Sequence, residues 1–127
     1  MLMQSDSKLH ALNVLVVEDE SLVLFNLEDI LTERGCIIVG PAMRLEQATQ
    51  LAESAADIDV AILDVNLGGQ PVFPIAAALK ARNVPIVFAT GYGREGLPEE
   101  WRDLPVLVKP YTADDVEQAL TAIVEAQ

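Results

Sequence analysis

The chain has 127 residues, the length of one small domain, and 51% of them are apolar, enough to form a buried core. Its formal net charge is −12, from 20 acidic against 8 basic residues, which excludes nucleic acid and anionic membrane as partners because both bind basic protein faces. The sequence contains neither an apolar stretch near the roughly 20 residues of a membrane span nor a secretory signal. We therefore expect a cytoplasmic protein with a disordered tail at residues 1–10 and one folded domain at residues 11–127.

Five short apolar runs alternate along the chain with segments of helical periodicity. The runs are rich in β-branched residues and are continuously apolar, which is typical of parallel strands covered on both faces. They are Asn13–Val17, Cys36–Gly40, Val60–Leu63, Val84–Ala89 and Val106–Val108. This alternation predicts an α/β protein of the (βα)5 type, with a doubly wound, parallel five-stranded sheet.

The helical segments have recognisable faces and ends. In the first helix, Leu22, Phe25, Ile30 and Leu31 are predicted to face the core, and Gly35 is predicted to stop the helix. The second helix is predicted within residues 43–56 and the third within residues 74–82.

The last two segments between and after the strands differ in how strongly their sequences favour a helix. Thr112 is predicted to cap a final helix at residues 113–125, with acidic residues in its first turn. The segment before the fifth strand is a poor helix former because it contains Gly91, Gly93, Gly96 and Pro98. Trp101 in that segment is predicted to pack against the edge of the sheet.

Polar side chains follow the predicted strands at their carboxyl ends. Glu18 and Asp19 follow the first strand, Asp64 the third, Thr90 the fourth and Lys109 the fifth. These ends converge on one edge of a parallel sheet, where such sheets bind ligands. Carboxylates that lie close together repel one another unless a cation sits between them, and Mg²⁺ prefers oxygen ligands. The pattern predicts a magnesium-dependent phosphoryl-transfer site.

Each of these side chains also has a simpler explanation. Acids such as Glu18 and Asp19 are favoured near a helix N-terminus, Thr90 can cap a turn, and Lys109 can pair with a surface acid. In the phosphoryl-transfer interpretation, Asp64 is a carboxylate nucleophile, Thr90 donates its hydroxyl to a phosphoryl oxygen, and Lys109 neutralises phosphate charge. The occurrence of all of them, each at a strand end, favours this second interpretation.

Four motifs also carry a resemblance to a known family. They are VLVVEDE (Val14–Glu20), AILDVNL (Ala61–Leu67), VFATG (Val87–Gly91) and LVKPY (Leu107–Tyr111). With them, nearly the whole chain resembles the receiver domain of bacterial two-component response regulators. The motif FATG is similar to that of a stand-alone subgroup of these receivers.

The resemblance implies a flavodoxin-like strand order, 2-1-3-4-5, and a role for each site residue. Asp64 would be the phosphoacceptor, and Thr90 and Lys109 would hold the phosphoryl oxygens. The ligands of Mg²⁺ would be Asp19, Asp64, the backbone carbonyl of Asn66 and, through water, Glu18.

The chain departs from the family pattern at three places. Val106 stands where the family usually has an aromatic switch residue, Gly68 stands where many relatives have Pro, and the segment between Thr90 and Lys109 is short and rich in Gly and Pro. We expect phosphorylation chemistry to survive these changes and the output mechanism to differ. Tyr92 is the candidate replacement switch, although it could instead be a Tyr simply exposed on a glycine-rich loop.

Three functions remain open at this point. The favoured one is a single-domain response regulator, a monomer or weak homodimer that receives phosphate from a histidine kinase or histidine phosphotransfer protein and signals through a downstream protein. It would not be an enzyme beyond self-catalysed phosphotransfer and autodephosphorylation. The second is a pseudo-receiver that binds partners without phosphorylation. The third is a magnesium-dependent phosphohydrolase, against which stands Asn66, where a second acid would be expected two positions after Asp64.

Overall fold

A computed structural model of the chain describes residues 8–126. Its main sheet has five parallel strands: β1 (Asn13–Val17), β2 (Ile37–Ala42), β3 (Val60–Asp64), β6 (Ile86–Thr90) and β7 (Val106–Val108). Two short strands, β4 (Asn66–Leu67) and β5 (Gln70–Pro71), form an antiparallel hairpin. The order of the main sheet is β2-β1-β3-β6-β7, which is 2-1-3-4-5 when only its own strands are counted. The predicted doubly wound order is therefore confirmed.

Helices cover both faces of this sheet. They are α1 (Ser21–Glu33), α2 (Leu45–Ser54), α3 (Phe73–Ala81) and α4 (Ala113–Glu125). Buried residues of α1 and α4 join one core cluster, and those of α2 and α3 join another on the opposite face. Among the described residues, no helix has both the length and the hydropathy required to cross a lipid bilayer.

The ends of the helices follow local sequence chemistry. Thr112 begins α4 with a reciprocal capping box, in which its hydroxyl accepts from the Asp115 N–H at 3.1 Å and its own N–H donates to the Asp115 carboxylate at 2.9 Å. Gly35 follows α1 with a φ of 82°, the left-handed conformation that favours glycine after a helix. Both predicted helix boundaries are confirmed.

The predicted core face of α1 is partly wrong. Ile30 and Leu31 are buried, but Leu22 is 83% exposed and Phe25 is 58% exposed. The helix instead buries Leu24 and Leu27, at the three-residue spacing that leads to Ile30. Because α1 carries more apolar residues than one face can bury, periodicity alone did not select the buried set.

The segment between β6 and β7 contains two 3₁₀ turns, at Arg94–Gly96 and Glu99–Trp101, rather than an α-helix. Trp101 is buried, with its ring centroid 6.2 Å from that of Phe73 and 5.8 Å from that of Phe88. The prediction that Trp101 packs against the sheet is confirmed. These aromatic contacts hold a segment whose glycines and prolines disfavour regular helix.

The predicted N-terminal tail divides into two parts. Residues 1–7 lie outside the described residues. Leu9 is 1% exposed in the core cluster formed with α1 and α4, because the chain turns back there and Ala11 N–H donates to the Gly35 carbonyl at 2.6 Å. Lys8 Nζ lies 2.7 Å from Glu125 Oε2 at the end of α4. The packed domain therefore includes residues 8–10.

Candidate metal and phosphoryl site

The carboxyl ends of the parallel strands converge on one cleft. Asp64 and Thr90 are the last residues of β3 and β6, Asp19 is the second residue after β1, and Lys109 directly follows β7. All four line a cleft of about 850 Å³. The polar residues that the sequence places at separate strand ends are thus brought together at one edge of the sheet.

Three carboxylates form a tight cluster in this cleft. One carboxylate oxygen from each of Glu18, Asp19 and Asp64 lies within 4.8 Å of those of the other two. Glu18 is 2% exposed and Asp64 is 6% exposed, while Asp19 is partly buried. Like charges this close and this poorly hydrated require a positive charge among them.

Lys109 provides that positive charge in the structure. Its Nζ lies 3.0 Å from Glu18 Oε1, 3.4 Å from Asp64 Oδ1 and 3.8 Å from Glu20 Oε1. Burial acts to lower the pKa of Lys109, but its hydrogen bond to Glu18 and the charges of Asp64 and Glu18 outweigh that effect, so the pKa is raised. The amine is therefore held as an ammonium ion between the carboxylates.

The ionisation of the two aspartates is unequal. Burial, the charge of Glu18 and a hydrogen bond with Asp19 raise the pKa of Asp64 to about 7, although Lys109 acts in the opposite direction. Burial also acts to raise the pKa of Asp19, but hydrogen bonds from Asp64 and the Gly68 N–H hold it below its usual value. Asp64 therefore retains a proton more readily than Asp19 does.

Asn66 and Tyr92 also line the cleft, together with Thr90. The Asn66 N–H lies 3.4 Å from Asp64 Oδ1, and its side chain is exposed. Thr90 is 6% exposed, and its Oγ1 accepts a hydrogen bond of 3.1 Å from the Tyr92 N–H. The Tyr92 side chain is 86% exposed at the rim, so the loop joins it to Thr90 through the backbone rather than through its ring.

Comparison with known protein families shows which family this chain belongs to. The response regulator receiver domain matches residues 14–121. The chain belongs to this family. The matched residues include the carboxyl ends of all five strands of the main sheet, where the site residues lie.

Two known proteins, SdrG and PdtaR, are similar to this chain over most of its length. SdrG from Sphingomonas melonis Fr1 is 44% identical, with a TM-score of 0.79 over 89% of this chain and 96% of SdrG. The BeF3-activated conformation of SdrG gives a TM-score of 0.76 at 42% identity, over 91% of this chain and 98% of that one. Transcriptional regulatory protein PdtaR of Mycobacterium tuberculosis is 33% identical over 84% of this chain. The chain spans 54% of PdtaR, about half its length.

A more distant neighbour has the same fold. It is the receiver domain of sensor histidine kinase PA1611 from Pseudomonas aeruginosa, solved with a magnesium ion coordinated in its active-site cleft. The two chains are 21% identical, with a TM-score of 0.76 over 91% of this chain and 98% of that one. At this identity the likeness concerns the fold.

Sequence reasoning missed the role of Gly68 in this receiver domain. Gly68 and Gly69 join β4 to β5 with φ values of 60° and 86°, as the tight two-residue turn of a hairpin requires. The turn directs the Gly68 N–H to Asp19 Oδ2 at 2.8 Å. A proline at this position would have no N–H to donate and would lose this hydrogen bond. The adjacent glycines Gly68 and Gly69 were the feature of the sequence that could have predicted this turn.

Replacing Gly68 with Ala should lower the stability of the receiver domain by roughly 1 kcal/mol, because an L-residue pays that cost in the left-handed region. A Cβ at Gly68 would meet no atom within 4 Å, so the cost is conformational rather than steric. Urea unfolding measures it. Gly91→Ala is the matched control, since Gly91 also has open space and lacks a positive φ. Equal stability of the two variants would contradict the assignment.

Sequence reasoning also passed over Tyr111. Its side chain is 8% exposed, and within the described part of the chain its hydroxyl is buried without a hydrogen-bond partner. Burial and then the charges of Glu18 and Asp64 raise the pKa of Tyr111, so the hydroxyl is neutral beside the acidic cluster. Its position two residues after Lys109 was the one feature of the sequence that could have placed Tyr111 near the predicted site.

Proposed function

We propose that this receiver domain is a magnesium-dependent phosphoacceptor in two-component signalling, and that Asp64 accepts the phosphoryl group. The observation that carries the proposal is the cluster of Glu18, Asp19 and Asp64 within 4.8 Å, with Lys109 bridging two of its members. Asp19 and Asp64 line a cleft of about 850 Å³, which is large enough for a phosphoryl group.

The acidic cluster fits Mg²⁺. Carboxylate oxygens within 4.8 Å of one another are the donors that this cation prefers, and the open cleft leaves positions for waters and phosphoryl oxygens. Asp19, Asp64 and the Asn66 carbonyl would hold the ion directly, and Glu18 would hold it through water. Bound Mg²⁺ would offset the negative charge that the carboxylates and the phosphoryl oxygens bring together. The magnesium-bound cleft of the PA1611 receiver domain supports this assignment.

In the proposed reaction, a carboxylate oxygen of Asp64 forms a bond to phosphorus while the bond between phosphorus and the donor atom breaks. The electron pair of the broken bond leaves with the donor, which then takes a proton from solvent. Thr90 Oγ1 already accepts from Tyr92, so its hydroxyl hydrogen is available to a phosphoryl oxygen. Lys109 would exchange its contact with Asp64 for a phosphoryl oxygen, to which its ammonium is electrostatically suited.

The proposed donor is a histidine kinase or a histidine phosphotransfer protein in the cytoplasm, and the proposed output is contact with a downstream protein. Leu22 and Phe25 support a protein partner, because they are large exposed apolar residues on the helix that follows the site. The BeF3-activated conformation of SdrG supports a response to a phosphoryl-like ligand in a similar chain. A pseudo-receiver would not need the complete set of acid, hydroxyl and amine found here.

The proposal is tested by incubating the protein with Mg²⁺ and acetyl phosphate, followed by intact mass measurement. We expect the mass to rise by one phosphoryl group, and we expect no rise when EDTA replaces Mg²⁺. A protein that binds Mg²⁺ but gains no mass would favour the pseudo-receiver. Steady release of inorganic phosphate from varied phosphate esters would favour the phosphohydrolase.

Magnesium affinity should rise as the pH increases and should level off above the pKa of Asp64, which is about 7. At a pH below this pKa, Asp64 carries a proton that the cation must displace. The magnesium dissociation constant should therefore increase by about tenfold for each unit by which the pH falls. Calorimetric titrations on either side of neutrality measure this dependence. Asp64→Asn is the control, since it removes the titrating group and should flatten the profile. An equally flat profile in the parent protein would contradict the assignment.

Tyr92→Ala should shorten the lifetime of the phosphorylated protein without changing its magnesium affinity. We propose that Tyr92 moves with Thr90 on phosphorylation, because its N–H is bonded to the Thr90 hydroxyl, and that its ring then hinders water. Loss of label over time measures the lifetime, and Tyr92→Phe, which keeps the ring, is the control. If Tyr92→Ala and the parent lose phosphate at the same rate, Tyr92 is not the switch.

A further inference from the structure

The β4–β5 hairpin forms one wall of the phosphoryl cleft, and its base and its tip are held very differently. The base is fixed, because Leu67 is 2% exposed in the core cluster that includes α2 and α3, and the Val72 N–H donates to the Val65 carbonyl at 3.0 Å. The tip, Gly68 and Gly69, is exposed and lines the cleft. A Cβ at either glycine would meet no atom within 4 Å, so the tip is not held by packing.

One hydrogen bond joins this tip to the acidic cluster. The Gly68 N–H donates to Asp19 Oδ2 at 2.8 Å, and within residues 8–126 no other hydrogen bond runs from the tip to another element of the fold. A hydrogen bond to a carboxylate is among the stronger ones in proteins. It also leaves lone pairs of the Asp19 carboxylate free, because an ionised carboxylate has about four acceptor sites.

Asp19 depends on this N–H more than its neighbours would. The Lys109 ammonium pairs with Glu18, Glu20 and Asp64, and among the described ion pairs it has none with Asp19. Asp19 is only partly buried, yet one of its oxygens lies within 4.8 Å of the oxygens of Glu18 and Asp64, whose charge tends to turn it away. The Gly68 N–H therefore restrains the one carboxylate of the cluster that Lys109 does not hold.

We propose that Gly68 is a positioning residue of the metal site, whose backbone N–H orients Asp19 toward Mg²⁺ and so couples the hairpin tip to metal binding. The inference rests on the proposed function, in which Asp19 is a direct ligand of Mg²⁺. Hydrogen bonds that orient a metal ligand typically change metal affinity by about 10- to 100-fold when they are lost. Because such coupling is reciprocal, bound Mg²⁺ in turn holds the tip against Asp19.

Replacing Gly68 with glycolic acid tests the inference, because the resulting ester puts an oxygen in place of the N–H and can still adopt a positive φ. The magnesium dissociation constant, measured by calorimetry, should rise by about tenfold. Glycolic acid at Gly69 is the matched control, since the Gly69 N–H makes no hydrogen bond in the described part of the chain, and the parent's affinity should be retained. Gly68→Ala keeps the N–H and should also retain it, in spite of its lower stability.

The unmodified protein provides a second test. Exchange of the Gly68 amide hydrogen with solvent, followed by NMR, should slow by about tenfold when Mg²⁺ is added. Exchange at Gly69 should not change. This measurement decides the inference if the ester at Gly68 does not fold.

Four results would overturn the inference. They are an unchanged magnesium affinity in the Gly68 ester, an equal loss in the Gly69 ester, an equal loss in Gly68→Ala, and Gly68 exchange that does not respond to Mg²⁺. If the parent protein binds Mg²⁺ and is phosphorylated while any of these is observed, only this inference fails. If the parent protein binds no Mg²⁺, the proposed function fails as well.

Discussion

Asp64→Asn is expected to give a folded protein that takes up no phosphoryl group from acetyl phosphate in the presence of Mg²⁺. The amide keeps the size of the side chain but removes the carboxylate oxygen that would attack phosphorus. Intact mass spectrometry measures the adduct directly. Asp57→Asn makes the same substitution at an exposed aspartate and should retain the full adduct. An undiminished adduct in Asp64→Asn would remove the proposed phosphoacceptor.

Measuring the stability of the Asp64→Asn variant would distinguish a loss of phosphorylation from a loss of folding. Because the folded-state pKa of Asp64 is raised from 3.8 to about 7, stability from this group is present at low pH and is lost as the pH rises through that range. Above it, the buried carboxylate destabilises the metal-free protein. Asp64→Asn should therefore increase the free energy of unfolding in EDTA by roughly 1–3 kcal/mol, as measured in urea.

Asp19→Asn is expected to weaken magnesium binding by at least about 100-fold, because loss of a direct ligand exceeds the cost of losing an outer partner. Asp19 is also the acid of the cluster whose pKa is lowered, so it is the carboxylate most available to a cation. Calorimetric titration measures the change. Phosphorylation should fall at ordinary Mg²⁺ concentrations and recover in part at high concentrations.

The recovery of phosphorylation at high Mg²⁺ concentration distinguishes the role of Asp19 from that of Asp64. High Mg²⁺ should restore the adduct in Asp19→Asn, where the cation is limiting, and should not restore it in Asp64→Asn, where the nucleophile is missing. If Asp19→Asn bound Mg²⁺ as tightly as the parent, Asp19 would not be a ligand.

The sequence was informative about the site because of a general property of parallel sheets. Their carboxyl ends meet at one edge, so Asp19, Asp64, Thr90 and Lys109 could be expected in one cleft once the strands were recognised. Strand recognition was reliable because strands covered on both faces are continuously apolar. The cap at Thr112 was equally readable, since its chemistry is local.

Features that depend on tertiary contacts could not be predicted from the sequence in the same way. Leu22 and Phe25 fit the apolar period of α1 but are exposed, because the face was chosen by the sheet and α4 rather than by the helix. The contact of Gly68 with Asp19 is made by a backbone N–H, which is common to nearly all residues. Whether the Tyr111 hydroxyl finds a hydrogen-bond partner among the described residues depends on all of its neighbours at once.

The most direct test of the central claim is to locate the phosphoryl group within the chain. Borohydride reduces an aspartyl phosphate to homoserine, so treatment after phosphorylation marks the modified residue permanently for peptide mass spectrometry. The proposal predicts homoserine at position 64, dependent on Mg²⁺ and on the phosphodonor. Homoserine at another aspartate, or unmodified Asp64 in protein that has gained the mass of a phosphoryl group, would contradict it.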